Sequence, residues 1–202
     1  VFAVVAIVVA PAQLRPAATH AAERVAFMSA HQGLAMAINL VGYIFFGAAM
    51  NVLSFGLYQR FRDKAQVASQ IALGFGLIWS GLVFASGMVA NIGIQLLSDL
   101  HANDPATASA VFHAYRLVVN GLGGGNEIVG GFWLLCIGIA MKGRQDIPTI
   151  AAWLTMFIGT VGIATTFPPL AELTTLFGIG LIFWYLWIAF VLLLQSTSAS
   201  AG

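Results

Sequence analysis

An acidic side chain stands inside one of the most apolar stretches of this chain. The segment NGLGGGNEIVGGFWLLCIGIAM covers residues 120–141 and carries Asn126 and Glu127 among six glycines in its first twelve residues. A carboxylate in a membrane span marks a functional site by default, because hydrocarbon penalises charge. Three chemistries suit such a segment: a phosphate cradle, an acid at a helix bend, or a close-packed helix with one polar anchor. The phosphate cradle fails first. The run lacks the G-x-x-x-x-G-K-[ST] order, and no strand precedes it. Close packing fits better. Gly121 and Gly125 make one GxxxG step, and Gly131 and Gly138 share a face seven residues apart, which lets helix backbones approach. Glu127 then reads as an ion pair or helix-end anchor first, and as a transport or ligand group second. Arg116 lies eleven residues upstream, close to three whole turns, so the two share a face on a continuous helix; they are too far apart to touch along it, and a glycine bend would bring them together.

The histidines offer a second chemistry. His20, Glu23 and His31 fall on one helical stripe, and His113 lies three residues from Arg116. Imidazole with carboxylate suits zinc, copper or iron. A metal site on His20, Glu23, His31 and His113 is therefore conceivable. However, no HExxH motif is present and the ligands come from separate segments, so outer-face histidines meeting water and headgroups is the plainer reading. No histidine lies deep in an apolar run, which argues against a haem ligand pair. No Ser-His-Asp order stands out, and no catalytic residue is assigned. The aromatic run FWYLW (183–187) reads as packing.

These groups need elements to hold them, and composition says which. Of the 202 residues 60% are apolar and 7% charged, against about a quarter charged in soluble domains. Mean hydropathy is +0.93. The reading is an all-α, polytopic transmembrane helix bundle in one domain, residues 1–202, with about six spans. A net charge of +1 gives nucleic acid no electrostatic footing. Cys136 is the only cysteine, so no intrachain disulfide forms. The opening VFAVVAIVVA, followed by Pro11, is half a span long and is read as the tail of a truncated first helix. Further spans are expected near 33–57, within 67–97, and near 121–141, 147–167 and 174–195. Residues 16–32 should form a helix leading into the second span. Asp104 followed by Pro105 predicts an N-capped outer-face helix over 104–120, before the fourth span, lying at the interface or joining that span through a glycine bend.

Orientation follows from cations in the loops. QRFRDKAQ (59–66) holds Arg60, Arg62 and Lys64, and MKGRQD (141–146) holds Lys142 and Arg144. With six spans both loops fall on one side together with both termini. Only Arg15, Arg24 and Arg116 lie opposite. The positive-inside bias assigns the first group to the cytoplasm. The expected location is a bacterial inner membrane, and the histidines then face outward.

The chain resembles a broad family of six-helix bacterial integral membrane proteins of unknown function. The features that carry the resemblance are FGLYQRFRDK closing the second span, EIVGGFWLLCIGIAMKGRQDIP, and the closing aromatic helix IGLIFWYLWIAFVLL. It covers most of the chain and implies the six-helix fold but no activity and no catalytic residues.

The functional expectation is a non-catalytic membrane protein, an accessory or structural subunit packed against other membrane subunits. No cofactor is expected, and bound lipid is. A small-solute or proton-coupled transporter is the alternative, with Glu127, Asn126, Asn91, Gln95 and Asn39 lining a path. An outward-facing metal-binding protein is the third reading.

Overall fold

A computed structural model of the chain describes residues 21–124 and 127–199. The expected first span, His20 and Asn126 lie outside the described residues. Everything described is helical or connecting turn, with no strand among the described residues. The described residues fall into two compact units: 21–56 with 74–124, and 57–73 with 127–199.

The first unit begins with α1 (Ala21–Ala30) and α2 (Gln32–Asn39), separated at His31. A π-helical turn, Leu40–Phe45, joins α2 to α3 (Phe46–Phe61), and together they make an apolar helix of 30 residues. The next helix, α4 (Gln66–Asn103), has 38 residues, about 57 Å at 1.5 Å per residue. It outruns the expected span because hydropathy left out its last turns, which carry Ser98, Asp99, His101 and Asn103. At that end Leu97 is buried with Val25 of α1 and with Ala108 and Phe112 of α5 (Pro105–Val119). The capping expectation for α5 holds: the Asp104 carboxylate accepts from the Thr107 N–H at 3.0 Å and from its hydroxyl at 2.6 Å. A second π-helical turn, Asn120–Gly124, follows α5.

Within this unit α3 and α4 meet on complementary spacings. Gly47, Met50 and Ser54 are buried on α3, and Trp79, Val83, Ser86 and Ala90 are buried on α4. Both follow the alternating three- and four-residue step of a helix–helix seam. Ser80 donates across it to the Gly47 carbonyl at 2.7 Å, and Phe46 meets Trp79 edge-on at 5.8 Å.

The second unit is built on α6 (Ile128–Met141), α7 (Thr149–Ala164) and α8 (Leu173–Ala199). A 3-10 turn, Pro168–Leu170, precedes α8. Here the expected span near 121–141 is corrected: the helix starts only at Ile128 and has 14 residues. The span near 147–167 shortens likewise to the 16 residues of α7. At about 21 and 24 Å both fall short of a hydrocarbon core of about 30 Å. The physical reason is flanking glycine and proline, which withdraw residues from the helix at both ends. Three helices are long and apolar enough to cross a membrane: Gln32–Phe61, Gln66–Asn103 and Leu173–Val191.

Glycine sets the contact between α6 and α7. A Cβ on Gly131 would lie 2.6 Å from both the Gly159 carbonyl oxygen and the Ile163 nitrogen, and one on Gly159 would lie 2.6 Å from the Leu135 nitrogen. The shared face of Gly131 and Gly138 is therefore a backbone-to-backbone contact, as small residues permit in lipid. Gly121 plays no such part, because nothing lies within 4 Å of its would-be Cβ. Gly125 is outside the described residues. From the aromatic run of α8, Trp184 packs on the same pair, whereas Phe183 and Leu186 are exposed. Trp184 donates to Thr155 at 2.9 Å and meets Trp133 edge-on at 5.3 Å.

Candidate functional site

Glu127 stands immediately before α6, with φ −111° and ψ 24° and no side-chain cap hydrogen bond. The continuous helix that placed Arg116 on its face does not form. Between them α5 ends at Val119 and the backbone passes through the π-helical turn. Arg116 belongs to the first unit, where its carbonyl accepts from the Asn120 N–H, and Glu127 belongs to the second. The glycines of this stretch were visible in the sequence, which left both a packed helix and a bend open.

What holds Glu127 is its backbone. Its N–H donates to the Thr165 hydroxyl at 3.1 Å, and that hydroxyl donates on to the Gly162 carbonyl at 2.7 Å. Thr165 thus ties the start of α6 to the end of α7, using one hydroxyl to satisfy a helix-start donor and a helix-end acceptor. The Glu127 carbonyl accepts from Gly131 N–H at 2.7 Å. The carboxyl group is half-buried, and Tyr185 of α8 lies within its electrostatic reach. A half-buried acid at a helix break can take or give up a proton, or attract a cation.

The first unit holds a second polar group of side chains. Asn39 Nδ2 donates to Asn91 Oδ1 at 3.2 Å, so two of the residues expected to line a path do meet. One turn away, Ser86 is fully buried and donates to the Val119 carbonyl at 2.8 Å. Tyr43 interacts with the same serine. Tyr43 lies in the first π-helical turn, and Val119 immediately precedes the second. Glycines of α4 make room. A Cβ on Gly87 would fall 2.6 Å from Tyr43 Cβ, and Gly93 accommodates the Tyr115 ring. The Ser86 node went unrecognised in the sequence. Its signal was serine within an apolar helix flanked by glycine.

No family model matches this chain. No curated protein or solved structure matches it either.

Of the expected metal ligands, His20 lies outside the described residues, and the other three form no cluster. Glu23, His31 and His113 are all exposed. The stripe through His31 is broken, because His31 interrupts the helix with φ −130° and ψ 39°. Its Nδ1 bonds the Phe27 carbonyl at 3.1 Å, and its ring stacks on Phe27 at 4.6 Å. Among the described residues no three of His, Cys, Asp or Glu are grouped to hold a metal ion.

The two basic loops do come together, within the second unit. Asp146 accepts from Arg60 at 2.7 Å and from Arg144 at 2.9 and 3.0 Å. Arg144 also donates to the Arg60 carbonyl at 3.1 Å. Both guanidinium groups lie over Phe61, at 6.0 and 5.5 Å. The Arg144 hydrogen bonds, above all, hold the Asp146 carboxyl below its ordinary value.

Proposed function

We propose that this chain is a non-catalytic subunit of a larger membrane complex, seated against another subunit's transmembrane helix. The observation that carries the reading is the outward face of α4. Gly74, Ile78, Gly81, Ala85, Met88 and Ile92 step along it by four and three residues. All are exposed except Ala85, which is half-buried, and nothing lies within 4 Å of a Cβ on Gly74 or Gly81. The spacing is that of a helix–helix seam, repeated on the side away from α3. Small residues on such a seam favour another backbone at close range, an advantage that flexible lipid chains do not need. Extraction in a mild detergent, followed by native mass measurement, tests this. A particle containing other subunits, lost on Gly81→Leu, supports it. A monomer or a homo-oligomer overturns it.

Glu127 favours a second reading, a small-solute or proton-coupled transporter. Its half-buried carboxyl at a break between helices resembles the interrupted helices that bind ions in transporters. Flux in reconstituted vesicles should then vanish in Glu127→Gln, and unchanged flux removes the idea.

A further inference from the structure

The paired basic loops carry more charge than their own carboxylates absorb. Residues 60–64 and 142–146 contain five cations and two carboxylates. Asp146 is committed to Arg60 and Arg144. Asp63 makes only a long contact to Arg62, at 3.8 Å, with both side chains well exposed. Lys64 and Lys142 are exposed, and neither has a carboxylate partner among the described residues.

Lys142 is held in a particular way. Its Nζ lies 4.6 Å from the centre of the Trp153 ring, which is itself 54% exposed. A tryptophan with an outward apolar face and a lysine above it is the arrangement found at the headgroup level of a bilayer. The cation–π contact fixes the ammonium while leaving its N–H donors available. Along α7 the same side continues as an apolar track: Ile150, Leu154 and Phe157 are each more than half exposed. A phosphate-bearing headgroup at Lys142 would lay its acyl chain on this track. The Asp146 clamp brings the loop bearing Arg62 and Lys64 to the loop bearing Lys142.

We infer that this end of the second unit is a binding site for an anionic phospholipid, with its phosphate on Lys142 and its acyl chain along Trp153 and Phe157. The site adds to the subunit reading and does not depend on it. Charge complementarity selects the occupant: a zwitterionic headgroup brings no net charge to answer the surplus, whereas an anionic one does. Each nearby cation is expected to contribute about five-fold in affinity for an anionic surface.

The test uses the purified full chain in detergent with equal phosphatidylglycerol and phosphatidylcholine, and native mass spectrometry of retained lipid. Phosphatidylglycerol should be retained several-fold over phosphatidylcholine. Lys142→Gln should lower that preference about five-fold, and Lys64→Gln should lower it less. Lys142→Arg should keep it, and Trp153→Ala should reduce retention of both lipids. Equal retention of the two lipids by the unsubstituted chain overturns the inference, as does a Lys142→Gln preference that does not fall. Glycerol 1-phosphate competing as well as the intact lipid would reassign the site to a free anion and overturn it too.

Discussion

Two glycines in the same kind of helix should answer the same substitution in opposite ways. Gly131 has no room: an added methyl meets the backbone of α7 at 2.6 Å, and a backbone cannot rotate aside. Gly131→Ala should therefore cost about 1–3 kcal/mol, the usual range for overpacking. Gly178, on α8, faces open space. Gly178→Ala should be neutral or stabilising by up to about 1 kcal/mol, because alanine loses less backbone entropy in a helix. Thermal unfolding of both variants in one detergent would check the pair, and equal destabilisation would refute the backbone-contact argument. Asp146 gives a residue-scale prediction in pH. Its carboxyl is held below its unfolded value, first by the Arg144 hydrogen bonds. A depressed folded-state pKa contributes stability that is complete above the unfolded value and is lost as pH falls through the folded one. The clamp should thus weaken on acidification below the ordinary carboxylate range. With 39% of its side chain exposed, the effect should be only a few tenths of a kcal/mol. Asp146→Asn should flatten that part of the pH–stability curve.

At the scale of elements the decisive features are the two π-helical turns and the single serine beside them. The Val119 carbonyl lies where the α-helical ladder gives way, and Ser86 supplies its donor from another helix. Ser86→Ala would remove that side-chain donor from the buried Val119 carbonyl and should cost about 0.5–1.5 kcal/mol, the net worth of one hydrogen bond. Ser86→Thr keeps the hydroxyl and should recover part of the loss if the site tolerates one methyl. The comparison separates lost hydrogen bonding from lost volume. Elements were also where sequence reading succeeded and failed most sharply. Asp104–Pro105 foretold a helix start, because capping is local chemistry: one carboxylate and the two donors of Thr107. Gly131 and Gly138 foretold a packing face, because seven residues return to the same side of a helix. The break at Glu127 was left open, as a bend or a continuous packed helix, since hydropathy registers only that a stretch is apolar and glycine-rich runs permit helix and bend alike. The same blindness drew the fourth and fifth spans too long. The continuous helical face shared by Arg116 and Glu127 failed with it, because a shared face has meaning only on an unbroken helix. The Asp146 clamp was beyond sequence reading for another reason. It joins side chains 86 residues apart, and neither charge pattern nor periodicity specifies that partner.

At the scale of the whole molecule, side-of-membrane assignment rests on one chain of reasoning that can be broken at a single point. Arg60 and Arg144 share Asp146, so the loops at 59–66 and 141–146 lie at the same end of the second unit. Loops that share an ion pair share a membrane face, and five cations on that face orient it toward the cytoplasm if the positive-inside bias governs. His113, on α5, belongs to the segment placed opposite. Cys136 is the only native cysteine and is half-buried in an apolar helix, so exposed reporters can be added without first removing others. Asp63→Cys and Gln145→Cys should react with a membrane-impermeant maleimide in inside-out vesicles and be silent in intact cells, while His113→Cys should do the reverse. Asp63 and Gln145 labelling from opposite sides would contradict the clamp itself. Both labelling from outside, with His113 inside, would leave the clamp standing and invert the orientation. In that event the lipid inference would keep its residues, but its anionic partner would have to come from the outer leaflet.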